Sequence, residues 1–467
     1  MKFNIIIVVT LLFTTAISSC KFTKVPAPTN QLITSTTFSS NSTATAAVLG
    51  IYTQMVNDNL PYRLALFTGY TSDELINYSF NSSYDQFFAN AINPTNNTVS
   101  LNLWSDLYKY IYQANAIIEG INKSSKLDSQ VKTQLLGEAT FIRGFSYYYL
   151  VNLWGAVPIL TQTDYRENSI AKRNEVNEVY KQIITDSKTA EILLNEKFVD
   201  KTDTTETLDR IRPTKWSARA LLAKAYAETG DWVSAVSMSE LILNNSTTFY
   251  LEELNDVFLN TSHEAIWQLT MPQPNSINTT EGAYFILSSA PTTGSTNCSA
   301  ISKWLLQEFE EEDSRKNNWI DSTVDNDNKY YYPFKYKIAS NSTVTENSTV
   351  FRLAEIYLIR AEGSALQGDL VKSLSDLNII RRRAGLKNLS ANTKDEIIKA
   401  IWHERQIELF CEWGHRWFDL KRTKQIDSKM ALVTPEKGGV WKPEYQLFPI
   451  PQSEINSNPK LTQNIGY

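Results

Sequence analysis

The chain has 467 residues, with 45 Lys and Arg against 50 Asp and Glu, a formal net charge of −5. Hydrophobic residues at 42% and charged residues at 20% exclude a disordered, tail-like chain. The mild acidity argues against a nucleic-acid binder, which needs a basic face. Gly (16) and Pro (15) are scarce for this length, so long helices are expected over many-stranded architecture. Aromatic residues are the outlier, with 11 Trp, 23 Tyr and 20 Phe.

Residues Met1 to Ser19 read as an export signal, with Lys2 followed by an apolar run from Ile5 to Phe13. That run is too short to cross a bilayer, which takes about 20 apolar residues. Small residues then lead into Cys20, as in a bacterial lipobox, so Cys20 is the expected lipid carrier. Only Cys298 and Cys411 remain, and their pairing is left open. Lys21 to Ser42 reads as a polar tether. Residues 43–467 read as one domain, so the chain is anchored rather than membrane-spanning.

From Thr43 the pattern is helical, with Ala47, Ile51, Tyr52 and Met55 at helical spacing. Leu60 to Thr98 reads as loops. Leu101 to Ile121 is helical, and Asp128 is placed to cap a helix from Ser129 to Leu153, ended by Gly155 and Pro158. Glu175 to Leu194 is a further helix. Trp216 to Glu228, the turn Gly230-Asp231 and Trp232 to Leu243 resemble a tetratricopeptide helix pair. Leu353 to Leu366, Gly368-Asp369 and Leu370 to Arg383 form a second such pair. Between them, residues from about 244 to 350 form a long loop-rich insertion. Thr393 and Glu396 make a capping box before Ile397 to Phe410, which Trp413 to Lys424 continues. The tail from Thr434 is expected to be mostly extended. The fold class is therefore mainly α, a tetratricopeptide-like helix-pair core with long loop-rich insertions.

Catalytic signatures fail one by one. His403-Glu404 starts like a zinc-protease motif, but Ile407 stands where the second His belongs. Gly363 to Gly368 has P-loop spacing, but Asp369 occupies the Lys position. No nucleophile elbow and no Cys/His cluster occurs, so no catalytic residue, cofactor or metal is expected. The acidic run Glu310 to Asp313 reads as a solvated helix face.

Several blocks resemble the SusD/RagB family of outer-membrane nutrient-binding lipoproteins from Bacteroidetes. Gly137 to Phe145 with Leu153-Trp154-Gly155 is similar to the family's central helix and its exit. Arg352 to Leu358 and Ile380 to Leu386 resemble its repeat pair. Glu404 to Leu409 and Gly414 to Leu420 resemble its most recognisable block, and Pro449-Ile450-Pro451 with Gln463 to Tyr467 its ending. Within the matched block, Glu404, Arg405 and Glu408 are expected to pair along one helix, as are Arg416 and Asp419.

The resemblance implies a cell-surface nutrient-binding lipoprotein, with a glycan as the expected ligand. It implies a SusC-like TonB-dependent β-barrel transporter as partner, with this chain as its capturing lid, and no enzymatic activity. A surface glycosidase and a protein-binding repeat scaffold are the alternatives. Sugar recognition needs aromatic faces with amide or carboxylate groups beside them. Two loop regions supply them. The first holds Tyr70, Asp73, Tyr78, Phe80 and Tyr84, and the second Tyr284, Trp319, Tyr330 and Tyr331.

Overall fold

The computed structural model describes residues 34–291 and 297–467. The export signal, Cys20 and the start of the tether lie outside the described residues. Helix α1 (Asn41–Asn57) is capped by Ser40, whose hydroxyl accepts from the Thr43 N–H. Helices α4 (Ser105–Lys123), α5 (Ser129–Trp154), α6 (Val176–Leu193), α7 (Lys215–Thr229) and α8 (Trp232–Leu243) follow the apolar spacing read from the sequence. So do α9 (Leu353–Leu366), α10 (Leu370–Arg383) and α11 (Lys394–Glu408), the last with the expected Thr393/Glu396 capping box.

The helices form a continuous stack. Each of α4 to α9 packs on the next, and α9 carries both α10 and α11. The two helix pairs, distant in sequence, are thus direct neighbours through α8 and α9. Their turns are built alike. Gly230 and Gly368 take left-handed φ angles of +77° and +92°, which glycine adopts without a Cβ penalty. Asp231 and Asp369 then cap the following helices by accepting from Ser234 N and Lys372 N. Gly363 lets α9 approach α8 closely, since a Cβ there would lie 2.5 Å from Val236 Cγ2.

The insertion leaves and rejoins this stack through a short antiparallel pair, β2 (Ala265–Leu269) with β6 (Ser348–Arg352), in register Ala265 to Arg352 and Leu269 to Ser348. Two other two-stranded sheets complete the strands of the described residues. These are β1 (Leu75–Asn77) with β3 (Ser299–Ile301), and the hairpin β4 (Ile320–Asp325) with β5 (Asn328–Pro333).

Four expectations need correction. Leu60 to Thr98 is not loop but holds α2 (Leu60–Thr71), β1 and α3 (Ser82–Phe88). Every residue of α2 except Arg63 is buried, so it has no polar face and shows no period. Trp413 to Lys424 does not continue α11. Cys411, Trp413 and Gly414 take positive φ of 53°, 47° and 82°, and a separate helix α12 (His415–Arg422) begins after them. Thr434 lies in a helix, α13 (Ile426–Glu436), and the tail beyond contains two further short helical turns. Asp128 stands at the N-cap of α5 but makes no cap; its carboxylate accepts from Asn41 Nδ2 at 2.6 Å and ties α1 to α5. Cys298 and Cys411 are free and buried.

The charged block is structural, and its partners are distant in sequence. Glu408 receives the guanidinium groups of Arg315, Arg352 and Arg383, all buried with it. Burial pushes its carboxyl up, yet Arg383, Arg352 and Arg315 hold it well below the usual range. Arg352 also binds Glu412 and Glu264 at 2.8 and 3.0 Å. Arg405 pairs with Asp419 rather than along its own helix, and Arg416 pairs with Asp73 rather than Asp419. Removing one member leaves unpaired buried charge. Arg352→Met is therefore expected to cost about 3–5 kcal/mol, read as a fall in urea midpoint at unchanged slope.

Candidate ligand-binding site

The turn chemistry of the β1–α3 connection explains its Asn and Ser content. Asn77 Oδ1 accepts from the Ser79 N–H and hydroxyl at 3.0 and 2.7 Å, while its amide donates to Asp85. Asn81 Oδ1 accepts from Ser83 N at 2.9 Å and starts α3. These bonds fix the shape of the loop, which faces the first turn of α2. A cavity of about 490 Å³ opens between them. Asn59, Tyr62 and Arg63 of the α2 start form one wall, Ser79 to Asn81 and Tyr84 another. Asn102, from the π-helical turn Ser100–Trp104 before α4, and Tyr284 with Cys298 from the insertion close it.

The aromatic side chains are mutually braced. Tyr62 lies 5.0 Å from Tyr284 and 4.9 Å from Phe285, centroid to centroid. Tyr84 meets Phe67 edge-on at 5.2 Å, the T-shaped geometry aromatic quadrupoles favour. Burial pushes the Tyr84 phenol up, with Cys298 adding to it and Arg63 opposing it. The phenol is therefore neutral near pH 7 and offers both a donor and an acceptor. Arg63 is fixed by Asp106, Nη1 to Oδ2 at 3.2 Å. Phe80, 87% exposed, stands at the rim.

Of the nine candidates read from the sequence, Phe80, Tyr84 and Tyr284 line this cavity. Tyr78 and Tyr330 stand beside it as an edge-to-face pair at 5.5 Å, and the Tyr78 N–H donates to the Cys298 carbonyl. Tyr70 lies buried beneath, its hydroxyl 3.8 Å from Cys298 Sγ. Tyr331, on β5, lines a separate hollow with Lys329, and two further candidates lie in the interior. Asp73 is buried at the far end of α2, its carboxylate taken by Arg416 through two bonds of 2.7 Å. Trp319 is buried in the core, donates from Nε1 to the Leu254 carbonyl at 2.7 Å, and has the Lys335 amine over its ring at 4.7 Å. Neither presents a face to a ligand. Asn59, Arg63 and Asn102 were not anticipated. The sign that could have found Arg63 is a lone charge in the apolar run Leu60 to Thr71.

Chemically, the lining combines aromatic faces, amides and one guanidinium. Among the described residues it contains no carboxylate and no His. Among the described residues no group of His, Cys, Asp and Glu is placed to hold a metal ion.

A family described as "SusD family" matches residues 294–467, and one described as "Starch-binding associating with outer membrane" matches residues 27–227. The chain belongs to the SusD/RagB family. The SusD-like protein P25 of Formosa agariphila is 24% identical over 99% of both chains. Among solved structures, a SusD superfamily protein from Bacteroides vulgatus superposes with a TM-score of 0.79 at 20% identity, covering 91% of this chain and 99% of its own. A laminarin-binding SusD-like protein superposes with a TM-score of 0.74 at 23% identity, covering 91% and 99%. The helix stack described above is therefore the SusD fold.

The split between rim and core is open to thermal unfolding. Trp319→Ala is expected to lower stability by about 3–5 kcal/mol, as for a buried Trp. Phe80→Ala is expected to change it by less than about 0.5 kcal/mol.

Proposed function

We propose that this SusD/RagB protein captures glycans at the outer membrane. The observation that carries the reading is the braced cavity at the start of α2. Its Tyr84 and Tyr284 rings suit the apolar faces of sugar rings, and its Asn59, Asn102 and Arg63 side chains suit their hydroxyls. Tyr78 and Tyr330 extend the aromatic surface at one edge. The laminarin-binding neighbour and the starch-binding description of the matching family support a glycan ligand. In this reading residues 43–467 act as one unit, held to the membrane by lipid on Cys20 and facing the cell exterior. The protein serves as the capturing lid of a SusC-like TonB-dependent β-barrel transporter. Capture needs no bond cleavage, and the cavity lining supplies no carboxylate pair for glycoside hydrolysis.

Affinity electrophoresis in gels containing laminarin or starch tests the binding step. The native protein is expected to be retarded by at least one of a panel of neutral glycans, and an Arg63→Ala, Tyr284→Ala double variant to lose about tenfold or more in affinity, as when two anchors of a small site are removed. Equal retardation of native and variant protein, at unchanged circular dichroism, would sink the assignment of this cavity. Release of reducing ends from the same glycans by purified protein would sink the non-enzymatic reading. Metabolic labelling with a palmitate analogue tests the anchor, and Cys20→Ala is expected to lose both the label and the membrane fraction.

A further inference from the structure

A second cavity, of about 540 Å³, is tied to the far end of α2 through Arg416 of its lining, which binds Asp73 just past that helix. The 12 residues of α2 make it about 18 Å long at 1.5 Å per residue, and no residue lines both cavities. The size of the second cavity falls within the range of roughly 300–1,000 Å³ typical of small-molecule sites. Its electrostatics differ from those of the first. Lys399, Arg416 and Lys429 line it against the single lining carboxylate of Glu308. Asp73, behind the wall, uses Nε and Nη2 of Arg416 and lies 3.3 Å from Lys429 Nζ. Arg416 Nη1 makes no hydrogen bond to the described residues. Lys429 is shared at 3.3 Å with Glu308. Positive charge remains in surplus, in a chain whose net charge is −5.

The remaining walls suit a small ring. Trp402 commits its indole N–H to Glu362 at 2.8 Å, so its contribution to the cavity is apolar surface. Leu420 lies beside it in the lining. Gln406 also lines the cavity, and its amide nitrogen is buried without a partner. A buried donor left unmatched is costly unless something occupies the site.

We propose that this cavity is a second binding site, which takes the carboxylate of an acidic sugar such as a hexuronate. Arg416 and Lys429 receive the carboxylate by charge-assisted hydrogen bonds, and the Trp402–Leu420 wall covers a face of the ring. Glu308 competes with the ligand for Lys429. The choice of a sugar as the carrier of the carboxylate rests on the glycan reading above. The charge preference rests on the cavity alone.

Calorimetric titration of the full chain with D-galacturonate and with D-galactose tests this. Galacturonate is expected to bind saturably and galactose not at all. Lys399→Glu, a change at an exposed position, is expected to weaken galacturonate about threefold, the scale of one partly screened ion pair. Glu308→Gln is expected to tighten it by about the same factor, because Lys429 is released. Arg63→Ala is expected to leave galacturonate binding as it was. Equal affinity for the two sugars, no response to either charge variant, loss of binding in Arg63→Ala, or preference for galactose 6-sulfate would each overturn the proposal. The glycan reading fails separately, on neutral polysaccharides at the first cavity.

Discussion

The fold depends on one buried arginine. Arg352 ends β6, where the insertion rejoins the helix stack, and it reaches three carboxylates brought from elsewhere in the chain. Glu264 directly precedes β2, Glu408 ends α11, and Glu412 lies in the link to α12. That link carries Cys411 and Trp413 at positive φ, a conformation costly for residues with side chains. Glu412 sits between them and is held by both Arg352 and Lys335, so the backbone path is fixed by ion pairs rather than by propensity. Burial alone would push the Glu412 carboxyl up, but Arg352 and Lys335 hold it below the usual range. Glu408 and Glu412 are thus held in their charged forms, and the interior is stiffened because these carboxylates have partners in more than one direction.

The rigidity reaches the ligand cavity through α2. The start of this helix supplies Asn59, Tyr62 and Arg63 to the first cavity. Its end is clamped twice. Asp73 binds Arg416 of α12 in a two-point pair, and the Lys437 amine donates to the carbonyls of Tyr70 and Ser72. An amine on the last carbonyls of a helix sits where the helix dipole favours positive charge. Burial nevertheless pushes the Lys437 amine down to about 7, with Asp73 opposing the shift. One short helix, fastened to the charged block at one end, therefore holds the wall of the candidate site at the other.

What the sequence made legible follows from period. Helices α4, α6 and α10 carry apolar stripes and polar backs whose spacing is visible without coordinates, while α5, α7 and α9 are buried on most faces and were marked by the Gly residues that follow them. Helix α2 is as regular but buried all round, so it offered only its lone Arg63 as a sign. The ion network was illegible for another reason. Arg352 and Glu408 are 56 residues apart, and Asp73 and Arg416 343 apart, so no local pattern pairs them. The charges of the Glu404–Glu408 block looked like neighbours on a helix surface, where i to i+4 pairing applies, but the block is interior. Trp319 was misread on similar grounds. An aromatic residue in a loop-rich insertion suggests a ligand face, yet the insertion needs its own packed interior, and Trp319 fills it. The Asn- and Ser-rich stretch before α3, marked from the sequence as a candidate ligand region, lines the first cavity, although those residues mainly build turns.

Net charge says little about the field inside either cavity, for a physical reason. At physiological salt the Debye length is about 8 Å, so the exposed surface charges that make up most of the net charge are largely screened beyond that distance, and the nearest side chains set the field of a cavity. The two cavities share no lining residue, so each is governed by its own side chains. The first gathers neutral aromatic and amide groups around a single guanidinium already paired with Asp106. The second keeps cations in excess because Asp73, drawn into the interior to clamp α2, neutralises only part of the positive charge around it. The interaction that stiffens one site thus leaves the other short of negative charge, and an overall acidic chain can still hold a pocket that favours an anion.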